Sequence, residues 1–131
     1  MSYKPPATVA RAARRGLGLR RLAPKSRRGG TAVGVARATQ LANQRNVSLD
    51  TVKRMIGYFS RHLVDKKGAT WSEKGKGFQA WLLWGGDPGA RWAVGILRRE
   101  APDWFDTFLE GPRNRALLRH LGLSTRRRGN G

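Results

Sequence analysis

The run from Val47 to Leu63 constrains the fold more than any other part of this chain. Val52, Met55, Ile56, Phe59 and Leu63 recur at the spacing that places side chains along one stripe of an α-helix. Ser48 stands where an N-cap would, its hydroxyl able to accept a backbone N–H that the first helical turn leaves unpaired. With that cap, Val47 and Val52 occupy the two ends of a hydrophobic staple, and Asp50 lies in the first turn beside the positive helix end. The predicted helix starts at Leu49 and runs to the Lys67-Gly68 stop, about 19 residues or roughly 28 Å. A stripe this one-sided needs other helices to cover it.

The neighbouring segments are helical too. Val33 to Asn43 reads as a preceding helix, joined through a turn at Gln44-Arg45-Asn46 in which Asn46 suits the left-handed conformation. Pro5-Pro6 can open a helix over residues 5–22, with Val9, Ala12, Ala13 and Leu17 in line. Gly16 and Gly18 weaken its second half, so a marginal helix that orders on a partner is expected. Residues 23–32 combine Pro, Gly and Arg without periodicity and read as a flexible basic linker. Further on, a short helix from Phe78 to Trp84 ends at Gly85-Gly86. Asp87 as N-cap and Pro88 then begin another, to about residue 99, with Trp92, Ile96 and Leu97 facing inward. Pro102 to Gly122 supplies two short helices, the first carrying Trp104, Phe105, Phe108 and Leu109, the second Leu117, Leu118 and Leu121.

The expected fold is therefore all-α, a small domain of five to six helices containing a helix-turn-helix-like hairpin. Its parts are a basic arm and linker (1–32), the helical domain (33–123) and a disordered basic tail (124–131). Each of the five Trp is expected to build core, although an exposed one could stack on an unpaired base.

Charge narrows the function. The 27 Lys and Arg against eight Asp and Glu leave +19, far beyond the magnitude of about 2 to 8 that suits a small soluble domain. Such a chain repels itself, and a polyanion that releases counterions on binding would relieve that repulsion. The first acid is Asp50, so everything before it is purely cationic. The candidate phosphate contacts of the arm and linker are Arg11, Arg14, Arg15, Arg20, Arg21, Lys25, Arg27 and Arg28. Within the helical domain they are Arg37, Arg45, Ser48, Lys53, Arg54, Lys66 and Lys67. The acids Glu100, Asp103, Asp106 and Glu110 gather near the C-terminus, a face that should avoid phosphate and could dimerise or meet a basic arm.

Other classes find little support. There is no Cys, which excludes disulfides and thiolate metal sites. No apolar run approaches the roughly 20 residues of a bilayer span, so a soluble, intracellular protein without a membrane partner is expected. His62 and His120 form no metal-spaced pair, no nucleophile motif is present, and Gly85-Gly86-Asp87-Pro88-Gly89 lacks the Lys-Ser/Thr of a phosphate loop. The expectation is a non-enzyme without cofactor.

Leu41-Ala42, then Val47-Ser48, Thr51-Val52 and Arg54-Met55-Ile56, resemble the helix-turn-helix pattern of bacterial repressors. The resemblance covers about residues 36–56 and implies that Leu49, Asp50, Lys53 and Arg54 face base edges in a major groove. Leu49 and Asp50 depart from the hydrogen-bonding residues usual there, which implies limited sequence reading. The order SYKPP, VARAARRGL, VGVARA, AWLLWGGDPG and RWA, over about residues 2–95, resembles a small basic module of tailed-bacteriophage proteins. That second resemblance implies a phage context, in host cytoplasm or virion. Together these features lead to a nucleic-acid-binding protein acting on double-stranded DNA, DNA ahead of RNA, chiefly through the phosphate backbone. The alternative is a virion or head-associated assembly protein whose basic arms contact packaged DNA or neighbouring capsid subunits.

Overall fold

The computed structural model describes residues 1–128, so the last three positions of the expected tail lie outside the described residues. Among the described residues the chain forms seven α-helices and one two-stranded pairing, the expected all-α class, with the segment expected as a marginal arm helix counted among the seven.

The stripe that dominates the sequence becomes α3 (Leu49–His62), with Val52, Met55, Ile56 and Phe59 fully buried. Ser48 caps it, its Oγ accepting the Thr51 N–H at 3.1 Å, and Val47 is buried beside the cap. α3 ends five residues earlier than expected, tightening into a 3₁₀ turn over Leu63–Lys67. The cover is lost there, since Leu63 is only half-buried and Val64 is exposed, and His62 Nδ1 meets Asp65 Oδ2 across the turn at 3.0 Å.

The largest correction concerns the N-terminus. α1 (Ala7–Leu22) is no arm ordering on a partner; it packs against three other helices, α2 (Ala32–Ala42), α4 (Lys76–Leu83) and α5 (Gly86–Glu100). Val9, Ala10 and Ala13 have no exposed surface. These small residues let backbones approach, and at Gly16 an added Cβ would lie 2.8 Å from the Leu83 nitrogen. The glycine that weakens the helix locally is thus where α4 comes closest, whereas Gly18 meets nothing within 4 Å.

The linker is fixed as well. Gln79, buried on α4, accepts the Gly29 N–H at 2.7 Å and donates to the Arg27 carbonyl at 3.3 Å. A side chain at Gly29 would overlap the Lys76 carbonyl, so this crossing requires glycine. Further forward, β1 (Ser2–Tyr3) pairs antiparallel with β2 (Val47–Ser48), Ser2 opposite Ser48, and Gln44 Nε2 donates to the Pro5 carbonyl at 3.0 Å. Gln44, at φ 50°, takes the left-handed position expected at Asn46. Asn46 instead donates to Ser2 Oγ.

Gly85 and Gly86, at φ 107° and 62°, turn α4 into α5. The N-cap is Gly85, not Asp87, whose carboxylate is engaged elsewhere. α6 (Pro102–Phe108) and α7 (Pro112–His120) close the core with Phe105, Leu117 and Leu118. Of the tryptophans, Trp81 is core, Trp71, Trp84 and Trp92 are half-buried, and Trp104 is 36% exposed. The start of the tail folds back onto the acidic face: Arg127 pairs with Glu110 at 3.5 Å, and Arg128 with Asp103 and Asp106. Residues 126–128 therefore depart from the disorder expected of them, because opposite charges lie within their reach.

Candidate nucleic-acid interface

The side of α3 opposite the apolar stripe carries Asp50, Lys53, Arg54, Gly57 and Arg61. They line a shallow furrow whose other walls are Val33, Trp84 and Trp104. At Arg61 and Trp84 the furrow continues into a cleft of about 420 Å³ that reaches Tyr58, His62, Asp65 and Lys76. Lys76 in turn borders a third depression shared with Arg27, Lys74 and Glu73.

Cations outnumber acids along this path, and few are neutralised. None of the described ion pairs includes Arg37, Lys53, Arg54, Arg61 or Lys76. Asp65 is held by His62 at 3.0 Å. The Arg37 pKa is lowered, first by burial and then by the charge of Arg54, so like charges face each other here. Aromatic rings form the floor and rim. Trp84 stacks on Tyr58 with centroids 4.8 Å apart, His62 stacks on Tyr58 at 4.6 Å, and the Arg37 guanidinium lies 5.8 Å from the Trp84 ring centre.

The residues expected to contact phosphate divide by environment. Arg11, Arg21, Lys25, Arg27, Arg45, Arg54 and Lys67 are exposed. Arg14 is exposed but donates to the Ala42 carbonyl at 2.8 Å, and Arg15 lies over Phe78. Lys53 is half-buried with its ammonium 5.4 Å from the Trp104 ring centre. Four others are drawn into the fold: Arg20 donates to the Gly29 carbonyl, Arg28 to the Ala23 and Arg21 carbonyls, Arg37 to Gln40, and Lys66 to Asp87. The Ser48 hydroxyl is committed to its cap. The structure thus spreads the expected set over several faces. Of that set Lys53 and Arg54 line the furrow, and Arg27 borders the third depression.

Arg61, Tyr58, Trp84 and Trp104 were not legible as site residues, and Arg61 had a usable signal. It stands seven residues after Arg54, on the polar side of the same helix. The tryptophans had none, because their partial exposure depends on helices distant in sequence.

Lys66 belongs to a separate cluster that ties α7 to the core. Its ammonium reaches Asp87 Oδ1 at 2.8 Å and His120 Nε2 at 2.7 Å, and Trp81 Nε1 donates to the same carboxylate oxygen at 2.9 Å. The Lys66 ammonium also lies 4.7 Å from the Trp81 ring centre. Burial acts to raise the Asp87 pKa, but Lys66, Trp81 and His120 together outweigh it and leave the carboxyl below its ordinary 3.8. A carboxyl lowered on folding stabilises the folded state above its unfolded pKa, and that stability disappears as pH falls through the folded value. Urea titrations are expected to show the wild type losing stability below about pH 4, with Asp87→Asn flatter over that acid limb and less stable near neutrality. Parallel pH profiles for the two proteins would remove Asp87 from this role.

No family model, curated protein or solved structure matches the chain.

Proposed function

We propose that the protein binds nucleic acid, DNA ahead of RNA, chiefly through the phosphate backbone and with little reading of base edges. The observation that carries this is the set of cations along the furrow and the cleft it opens into, Lys53, Arg54, Arg61 and Lys76, none in an ion pair among the described residues, in a chain of net charge +19. Crowded cations held in no ion pair gain most from a ligand that brings many phosphates at once.

Base reading has weaker support. Leu49, at the front of α3, packs against the core, Asp50 would repel phosphate, and Lys53 lies across Trp104. α2 is anchored mainly to α1 and α4, while α3 is anchored to α5 and α7, so the two arms of the hairpin have different main partners. Fluorescence anisotropy with labelled DNA is the direct test. Affinity is expected to fall by orders of magnitude between about 50 and about 200 mM salt. Equal affinity at both concentrations, or no binding, would sink the proposal.

A further inference from the structure

The cleft at the end of the furrow has features that backbone contacts along α3 leave unused. Two helices begin in its wall, α2 after Gly30 and Thr31, and α4 at Lys76 and Gly77. The start of α4 receives no side-chain cap, so first-turn N–H groups and the positive helix end are available there. Arg61 and Lys76 add full charges to the same cleft.

A second, independent observation lies in the same cleft. Tyr58 lines it, is only 6% exposed, and its hydroxyl has no hydrogen-bond partner among the described residues. Buried hydroxyls nearly always have one, and a ligand oxygen would supply it. Burial, and then the charge of Asp65, raise the Tyr58 pKa, which keeps the hydroxyl protonated as a donor. The Asp65 carboxylate also lines the cleft and opposes an anion, but it is engaged by His62.

Size and lining point to more than a phosphate ion. About 420 Å³ is within the range of small-molecule sites, and Trp84, Ala80 and the exposed Val33 form an apolar wall. A base held in a duplex reaches such a wall only by leaving its stack, whereas a single strand presents its bases freely.

We infer that this cleft seats one unpaired nucleotide of a single strand, its phosphate at the start of α4 with Arg61 and Lys76, and its base against Val33 and Trp84. The inference rests on the nucleic-acid-binding reading and adds strandedness to it.

The test compares single-stranded and duplex DNA of equal length, at equal salt, with the wild type, Tyr58→Phe and Lys76→Ala. The wild type should bind the single strand about tenfold or more tightly than the duplex, as one stacked base supplies. Tyr58→Phe should weaken single-strand binding about tenfold, the effect of one hydrogen bond to a charged group, and so remove most of the preference for the single strand over the duplex. Its Tm should stay level or rise, because an unpartnered buried hydroxyl is removed. Lys76→Ala, at an exposed side chain, should weaken the single strand at unchanged Tm. Salt-sensitive duplex binding without single-strand preference overturns this inference alone, as does single-strand binding unaffected by both variants. Displacement of the strand by an equimolar nucleoside monophosphate also overturns it, by making the cleft a free-nucleotide site. Absence of salt-sensitive binding to either form overturns the earlier reading as well.

Discussion

Deleting residues 1–24 is expected to leave a chain that does not fold, recorded as loss of the cooperative thermal transition and collapse of the helical far-ultraviolet signal. A basic arm could be removed at the cost of affinity alone, but α1 fills space between α2, α4 and α5. Val9, Ala10 and Ala13 are fully buried, and their removal would expose the facing surfaces of all three helices. Burying Val9 alone is worth about 1.5–3 kcal/mol, and a domain this small has only about 5–15 kcal/mol of net stability. The deletion also removes β1, and with it the pairing at Val47–Ser48 beside the α3 cap. A truncated protein with a sharp transition near the full-length Tm would show that α1 is dispensable. Replacing Arg11, Arg15 and Arg21 together by Gln separates charge from packing. All three are exposed, so the fold should persist while the cationic surface shrinks.

The second large effect is expected from Lys53→Gln, Arg54→Gln and Arg61→Gln combined. Arg54 and Arg61 are exposed, and Lys53 contributes one cation–π contact to Trp104 worth about 0.5–1 kcal/mol, so Tm should move little. Binding should change far more. Each lost phosphate contact removes about 0.9 from the slope of log affinity against log salt, so the triple variant should flatten that slope by nearly three. At about 50 mM salt this corresponds to an affinity loss on the order of a thousandfold. An unchanged slope in a folded variant would place the binding surface away from α3. The exposed N-terminal cations, Arg11 and Arg45 among them, would then be the next to replace.

Much of the helical framework was legible because its signals are local. Ser48 caps α3, its hydroxyl accepting an N–H three residues on, and the Gly85-Gly86 turn uses two positive-φ glycines in succession, whereas the Thr31 cap of α2 lay hidden in what reads as linker. The candidate site was legible only in part. Lys53 and Arg54 stand out on the polar side of α3, whereas Arg61, seven residues after Arg54, was missed. Arg20, Arg28, Arg37 and Lys66 look identical to them in sequence, yet each is held by carbonyls, a side-chain amide or a carboxylate from other segments. Charge as such therefore did not separate cations facing a partner from cations that hold the fold together.

The stripe from Val52 to Phe59, with its cap at Ser48 and staple at Val47, was determined by the sequence alone. A helix's period, its first-turn hydrogen bonds and its one apolar side all arise within some fifteen consecutive residues. Where that helix stops, what covers it and what its polar side meets were decided only in the tertiary structure. α3 ends at His62 because burial runs out there, and Trp84 and Trp104 border its cationic side because the end of α4 and the start of α6 bring them to it. The Val9, Ala10, Ala13 and Gly16 stripe of α1 reads as weak by itself, since small side chains bury little area and glycine disfavours helix. Its contribution comes from the close approach it permits, and that exists only once other helices present matching surfaces.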